Sequence, residues 1–221
     1  MESRDPIHLD PMIQQLRTHI LNLWPCQSLQ LNLHPMLALK ELYAHSCSPR
    51  HVSEEEHRHN LVAPDRILRR QMADSITPFL KTLAKNPPED LLLVCPGLVY
   101  PHDAAGLLQP RNEIALWRLT AQNIPLSSLD DLREAAAGIL PRGMRLRTRR
   151  TSQPYLVYSQ GLEAYCGGWR WIGHCGLLNP MLLIECGFDP VTTEGLALSL
   201  DLDRCLALRD KWDEICLRRR S

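Results

Sequence analysis

Residues 11–23 carry their apolar side chains with the period of an α-helix. Met12, Leu16 and Ile20 fall on one face of this stretch. Pro11 stands at its start, where a helix tolerates a proline because the missing N–H would have no partner within the helix. The pattern therefore predicts an amphipathic helix.

Residues 127–143 predict a second and clearer helix. Ser127 or Ser128 can cap its amino end, an acidic pair follows in the first turn, and Pro141 and Gly143 end it. Shorter patterns predict further helices: residues 35–46, two pieces of 64–85 that meet at Thr77 and Pro78, 179–187, and 204–219. Residues 48–62 are charged and predict a loop.

Several stretches alternate apolar and polar residues or are continuously apolar, as β-strands do. The predicted strands are residues 28–35, 91–95 with a continuation after a turn at Pro96 and Gly97, 113–122, 144–150, 154–159, 162–173 and 195–204. Consecutive strands with short turns predict an antiparallel sheet, and helices occur between them. The fold class is therefore α+β.

Charge and length limit the kind of protein. Lysine plus arginine number 25, and so do aspartate plus glutamate, so the 221 residues carry no net charge that would attract nucleic acid. Residues 141–150 and 216–221 are locally basic and could meet a phosphate-bearing partner, or they could be solvated faces. We expect one domain over residues 1–221.

Eight cysteines raise the question of disulfides or metal. No signal-peptide core and no membrane span is present, so we expect a cytoplasmic, soluble chain with reduced thiols. Cys166, His174 and Cys175 lie close together, but a fourth zinc ligand at a suitable spacing is missing. We therefore expect core packing at these positions and no metal site.

The carboxy-terminal part of this order of elements resembles a known family. Residues 169–215, WRWIGHCGLLNPMLLIECGFDPVTTEGLALSLDLDRCLALRDKWDEI, carry most of the similarity, and ILRRQMA (67–73), CPGLVYPHD (95–103) and SLQLNLHP (28–35) resemble upstream motifs. The family is the class II aminoacyl-tRNA synthetase catalytic core, most similar to the phenylalanyl-tRNA synthetase α subunit. Covering about residues 10–218, the resemblance implies a mostly antiparallel sheet flanked by helices.

The resemblance also implies site residues. Arg204 matches an arginine that lies against the phosphates of ATP, where a planar guanidinium suits phosphate, and Asp103 matches an acidic residue of the nucleotide motif. These two are the candidate catalytic residues. The candidate substrate-binding residues are Arg69, Gln71, Gln153, Tyr155, Glu163, Cys175 and Gly176.

Several positions depart from the family pattern. In the nucleotide site, the family's phosphate-binding arginine corresponds to Pro101, its adenine-stacking aromatic residue to Asn112, and two polar residues to Ile114 and Leu116. Two acidic residues correspond to Trp171 and Val157, and two glycines under the nucleotide to Ser199 and Asp201. In the amino-acid pocket, a serine corresponds to Ala73 and two phenylalanines to Gln153 and Tyr155. ATP and Mg²⁺, the cofactors that the family implies, are disfavoured by these changes. A more polar pocket also argues against phenylalanine as the ligand.

Three functions follow from these residues. The first is a stand-alone synthetase-like enzyme that binds an amino acid or related small acid and activates or transfers it outside normal tRNA charging. The second is an inactive paralogue that acts as a dimeric ligand-binding or regulatory module. The third, a tRNA-binding partner, would need Arg145, Arg147, Arg149, Arg150 and Arg218–Arg220 on one basic face.

Missing parts argue against free tRNA charging, because we find no coiled-coil or anticodon-binding domain. We expect a homodimer through residues 11–23 and 28–35, which correspond to the dimerisation motif of the family. The alternative is that this apolar face packs inside the monomer.

Overall fold

The computed structural model describes residues 9–42, 60–103 and 105–218, with side chains as far as residue 212. The helices are α1 (Asp10–Leu23), α2 (Leu39–Leu42), α3 (Ala73–Leu83), α4 (Ser128–Gly138), α5 (Pro180–Cys186) and α6 (Leu202–Arg218). The strands are β1 (Gln27–Gln30), β2 (Met36–Ala38), β3 (Leu61–Ala63), β4 (Arg66–Leu68), β5 (Asp90–Val99), β6 (Arg111–Thr120), β7 (Leu146–Arg150), β8 (Leu156–Tyr165), β9 (Trp169–Leu178) and β10 (Glu194–Asp201).

Seven strands form one large sheet in the order β1-β5-β6-β10-β9-β8-β7. Only the β1–β5 pair is parallel, and the other neighbours are antiparallel. A small antiparallel sheet has the order β2-β4-β3. The predicted α+β class and the mostly antiparallel sheet flanked by helices are confirmed.

The two faces of the large sheet bury separate cores. On one face, α1 and α4 pack against strand residues such as Leu116 and Leu198. On the other face, α3 and α5 pack against Trp117 and Tyr155, among others. We call these the first and second faces of the sheet. Alternation along each strand sends neighbouring residues to opposite faces, which decides which side chains can reach a common site.

Some predicted elements need correction because partners distant in sequence decide them. β1 ends at Gln30 rather than Pro35, since the chain then leaves the large sheet. Residues 36–38 form a strand rather than a helix, because they pair with β4. The predicted helix continues only as α2, and its part beyond Leu42 lies outside the described residues. Most of the loop predicted over residues 48–62 also lies outside the described residues, and residues 61–63 form β3.

The predicted turn at Pro96 and Gly97 is also wrong, because β5 runs unbroken to Val99 along β6. β1 pairs only with residues 91–94, so Pro96 lies where β5 has become an edge strand, a position that tolerates a residue without N–H. Likewise, α3 is one helix that includes Pro78 rather than two pieces. Residues 66–68, predicted as helical, form β4.

The predicted end of the strand at residues 195–204 is too late, since β10 ends at Asp201 and Arg204 lies in the first turn of α6. β8 is a single strand that turns into β9 at Cys166–Gly168. No serine side chain caps α4. Among the described helices, none is long and apolar enough to cross a membrane.

Candidate functional site

A cavity of about 250 Å³ lies between the second face of the large sheet and the small sheet. Apolar side chains from β2 and β4 form one wall, and polar side chains from β6, β9 and the turn before α3 form the other. Its lining residues are Leu37, Leu42, Ile67, Leu68, Arg69, Arg70, Gln71, Asp74, Pro101, Arg111, Glu113, Gln153, Pro154, Trp171 and His174.

Glu113 is a buried carboxylate on β6 at the floor of this cavity. Its Oε1 accepts hydrogen bonds from the Met72 N–H at 3.0 Å and from the Ser199 hydroxyl at 2.7 Å. Its Oε2 lies 3.7 Å from the guanidinium of Arg111. Burial raises the pKa of Glu113 more than these partners lower it.

Asp74 supplies a second carboxylate, which is half-buried, from the first turn of α3. It accepts the Arg70 N–H at 2.9 Å, the Gln71 N–H at 3.3 Å and the Gln71 side-chain amide at 3.2 Å. Burial again raises its pKa against these hydrogen bonds. The Asp74 carboxylate therefore holds in place the turn of Arg70 and Gln71, which precedes α3.

Arg69 is a buried guanidinium that donates to backbone carbonyls and to the Ser75 hydroxyl. Its Nε donates to the Leu98 carbonyl at 2.7 Å and its Nη1 to the Leu33 carbonyl at 2.8 Å. Gly97 makes room for it, since a Cβ there would lie 2.3 Å from Arg69 Nη2. Arg69 thus joins the small sheet, β5 and the cavity wall, and burial lowers its pKa.

Arg111, Asp201, Arg204 and Trp171 form a cluster beside the cavity. Asp201 lies 3.6 Å from Arg111 and 3.7 Å from Arg204, and burial raises its pKa. Both guanidiniums lie over the Trp171 ring, at 5.2 and 5.3 Å from its centroid. Arg204 also donates to the Trp171 carbonyl at 2.9 Å. The arginine that the sequence singled out is therefore held by an acid and an aromatic ring.

His174 and Tyr155 form a buried polar pair below the cavity. The Tyr155 hydroxyl and His174 Nε2 are 2.5 Å apart, and the Tyr155 ring stacks on Trp117. Burial lowers the pKa of His174 to about 4, so the imidazole is neutral at neutral pH. Burial also raises the pKa of Tyr155 well above its ordinary range.

Four buried nitrogen atoms of the cavity lining have no hydrogen-bond partner in the described part of the chain. They are Arg70 Nε, Arg70 Nη1, Arg111 Nε and His174 Nδ1. Buried polar atoms in folded proteins are almost always paired, so unpaired ones mark a place where a ligand or water binds. All four lie in one cavity.

The structure places only some of the predicted substrate residues at the cavity. Arg69, Gln71 and Gln153 line the cavity, and Tyr155 supports it through His174. Gly176 lies on β9 opposite Ala197, where a Cβ would touch the Val157 carbonyl at 3.0 Å. Cys175 is buried in the first-face core, and burial raises its pKa to about 12.

Glu163 and Asp103, two further predicted site residues, also lie away from the cavity lining. Glu163 accepts a hydrogen bond of 2.6 Å from Arg147 Nε on β7. Asp103 accepts the N–H groups of Ala105 and Leu107 at 2.9 and 3.0 Å, and these bonds lower its pKa. Its carboxylate therefore organises the loop between β5 and β6.

The β6 residues that the resemblance matched to nucleotide-binding positions do not line the cavity; they are Asn112, Ile114 and Leu116. Ile114 and Leu116 face the first-face core, and Asn112 donates to Asp203 at 3.1 Å. Arg111 and Glu113 are the residues of this strand that face the cavity. Strand alternation contained that signal, because Arg111 and Glu113 are two residues apart and directly precede the apolar residues 114–117 of the same strand.

Arg70, Asp74 and His174 were also missed by the sequence analysis. Arg70 and Asp74 flank the matched residue Gln71, but only the fold shows that the chain turns there. The thiols of Cys166 and Cys175 pack in the first-face core, whereas His174 lines the cavity on the second face. Among the described residues, no group of three His, Cys, Asp or Glu side chains could hold a metal ion.

A large mostly antiparallel sheet that carries a buried polar cavity, with a strand and an arginine-bearing helix at its side, is the architecture of a class II synthetase core. The family of tRNA synthetases class II core domain (F) matches residues 32–217 of this chain. The chain therefore belongs to that family.

Curated relatives and a solved structure agree with this family. The chain is 27% identical over 156 residues to the phenylalanine–tRNA ligase alpha subunit of Chlorobium limicola, covering 62% of this chain and 45% of that protein. A shorter match to the Leifsonia xyli alpha subunit is 35% identical over 74 residues, 31% of this chain and 21% of that protein. The chain thus spans about half the length of the first of these relatives, or less.

The solved structure is PylSc of Desulfitobacterium hafniense, a pyrrolysyl tRNA synthetase. It superposes with a TM-score of 0.64 at 15% identity, covering 91% of this chain and 69% of that one. At this identity the similarity establishes a shared fold.

Proposed function

We propose that this chain binds an amino acid or a related small carboxylic acid in the cavity of the second face. The guanidinium of half-buried Arg70 carries this proposal, because its Nε and Nη1 are buried and no described protein group accepts a hydrogen bond from them. Glu113 Oε2 has no hydrogen-bond donor of its own and suits an ammonium group. A guanidinium and a carboxylate in one cavity suit the carboxylate and the ammonium group of a zwitterion.

The size of the cavity supports a small ligand. About 250 Å³ lies just below the range of about 300–1,000 Å³ typical of drug-sized ligands, and it suits a molecule of amino-acid size. The names of the curated relatives point to an amino-acid substrate as well. Polar groups at Gln71 and Gln153 argue against phenylalanine itself.

Class II synthetases in general use ATP and Mg²⁺, and the residues beside this cavity do not fit them. Ser199 and Asp201 are 3% exposed and stand where the family places glycines under the nucleotide. Arg111 and Arg204, the guanidiniums that could meet phosphates, each lie in an ion pair with Asp201, at 3.6 and 3.7 Å and so beyond hydrogen-bond distance, and a polyphosphate there would have to compete with that carboxylate. A buried carboxylate at that place would repel a polyphosphate.

These contacts favour the binding or regulatory module over the activating enzyme. The activating alternative rests on Arg204, whose side chain is 43% exposed and could turn from Asp201 toward a phosphate. If ATP binds, Arg204→Ala should weaken that binding. An unchanged affinity would remove Arg204 from the nucleotide site.

Homodimerisation stays a proposal, and only part of the predicted surface remains open for it. The apolar face of α1, with Met12, Leu16 and Ile20, is buried in the first-face core of the same chain. β1 is an edge strand, so its open side is the part of the predicted interface that a second copy could still use. Sedimentation at micromolar concentration measures this directly.

The decisive experiment is a thermal-shift and calorimetric titration of the full chain. A panel of the common L-amino acids is tested without ATP, then ATP with Mg²⁺ is tested alone and with each amino acid. We expect an amino acid to raise the melting temperature without ATP, because a ligand that binds only the folded state stabilises it. A chain that no amino acid stabilises contradicts the proposal, and ATP-dependent pyrophosphate exchange would restore the enzyme alternative.

A further inference from the structure

The unpartnered atoms of the cavity lining share one chemical property. Arg70 Nε, Arg70 Nη1 and Arg111 Nε are guanidinium N–H donors and cannot accept hydrogen bonds. No acceptor atom of the described lining residues is both buried and unpartnered. A ligand that satisfies this cavity must therefore be rich in acceptors.

The remaining atom, His174 Nδ1, is a donor as well. The hydroxyl of Tyr155 is buried, and its hydrogen bond within the described part of the chain is to His174 Nε2 at 2.5 Å. A buried hydroxyl needs an acceptor for its hydrogen, so Tyr155 donates and Nε2 accepts. A neutral imidazole then carries its proton on Nδ1. His174 thus presents an N–H group to the cavity.

The charges of the lining agree with the donors. Three guanidiniums, those of Arg69, Arg70 and Arg111, face two carboxylates, Asp74 and Glu113, so the described lining has a net charge of +1. The neighbouring Asp201 and Arg204 cancel each other. Protonation of either lining carboxyl would make the cavity more positive. A ligand that balances this site carries one net negative charge.

An amino-acid zwitterion has no net charge, so an amino acid that balances this site carries the negative charge on its side chain. A carboxylate has one negative charge at neutral pH, whereas a phosphate has nearly two. The small cavity volume also favours a short side chain.

We propose that the cavity selects an acidic amino acid, of the class of aspartate and glutamate, and that Arg70 and His174 bind its side-chain carboxylate. Glu113 Oε2 accepts a hydrogen bond from the ligand ammonium, and Arg111 donates one to the α-carboxylate of the ligand. The inference rests on the proposed function, because it names the ligand class of the same site.

The test compares each acid with its own amide by isothermal titration calorimetry on the full chain. L-aspartate is paired with L-asparagine and L-glutamate with L-glutamine, and L-phenylalanine is the apolar reference. We expect at least one acid to bind about tenfold tighter than its amide, since a site built for a charged group rejects the analogue that lacks it. The acid-to-amide ratio is independent of how much protein is folded.

Arg70→Met should reduce that ratio to about one, and Arg66→Met is the matched control. Arg66 lies on β4 near the cavity but is exposed and lies 3.8 Å from Asp65, so its loss should leave the ratio unchanged. Arg70→Lys serves where the methionine variant does not fold, because lysine keeps the charge without the planar fork and should lower the ratio.

The outcomes separate the two proposals. If the amides or phenylalanine bind as tightly as the acids, the acidic ligand class is overturned and amino-acid binding is left intact. If Arg70→Met keeps the acid-to-amide affinity ratio of the wild-type protein, the role of Arg70 is overturned. If no amino acid binds at all, the proposed function and this inference both fail.

Discussion

His174 should make the stability of this protein depend on pH in a way that one substitution removes. The imidazole is buried, hydrogen-bonded to Tyr155 and neutral, and its pKa is lowered from 6.5 to about 4. The unfolded chain binds this proton more readily than the folded chain does. The stability that neutral His174 contributes is therefore complete above about pH 6.5 and is lost as the pH falls toward 4.

The size of the effect follows from the two pKa values. Relative to neutral pH, the linkage costs about 2 kcal/mol at about pH 5 and about 3 kcal/mol at about pH 4. Asp74, Glu113 and Asp201 act in the opposite sense, because burial raises the pKa of each carboxyl and favours the folded state as pH falls. The net slope of the wild-type protein therefore mixes both contributions.

The variant His174→Gln isolates the imidazole, since glutamine keeps an acceptor for the Tyr155 hydroxyl and does not titrate. Urea unfolding of both proteins between about pH 7 and about pH 4.5 should show that the wild type loses about 2 kcal/mol more than the variant. His34→Gln is the control, because His34 is exposed and should leave the wild-type slope unchanged. Equal slopes in wild type and His174→Gln would refute the buried neutral histidine.

Three further predictions concern stability. Gly97→Ala should cost about 1–3 kcal/mol by urea unfolding, because the added Cβ would lie 2.3 Å from the fixed guanidinium of Arg69; no loss would mean that Arg69 can move. Asn179→Ala should cost about 1 kcal/mol, since its side chain accepts the Met181 N–H at 3.0 Å and caps α5; an unchanged melting temperature would show that the cap contributes nothing. Gly187→Ala should cost about 1–2 kcal/mol because the φ of 96° at the end of α5 strains any residue with a Cβ, and a neutral result would mean that the helix ends differently.

Local patterns predicted the elements whose signals lie within a few residues. α1 has its apolar face and proline, and α5 lies between its cap residues Asn179 and Gly187, as the sequence indicates. The final strand and helix were also found, because eight alternating residues precede a helical period. Caps, turns and periodicity are local properties, and they need no knowledge of the partner.

Elements that depend on a distant partner were predicted less well. Residues 36–38 look helical but pair with β4, about 30 residues further on. The proline of β5 looks like a turn, and only the short length of β1 makes it tolerable there. Short strands take their identity from the backbone groups opposite them, which periodicity does not encode.

By itself, the sequence determined the α+β class, the synthetase-like order of elements and the positions of Arg69, Gln71 and Gln153 in the cavity wall. Tertiary structure decided the chemistry of that cavity. It turned Arg111 and Glu113 toward the cavity, paired Arg204 with Asp201, and left Nε and Nη1 of Arg70 without a hydrogen-bond partner among the described residues. The physical reason is that the charge of a site is a sum over side chains from several strands, and only the packed sheet brings them within a few ångströms.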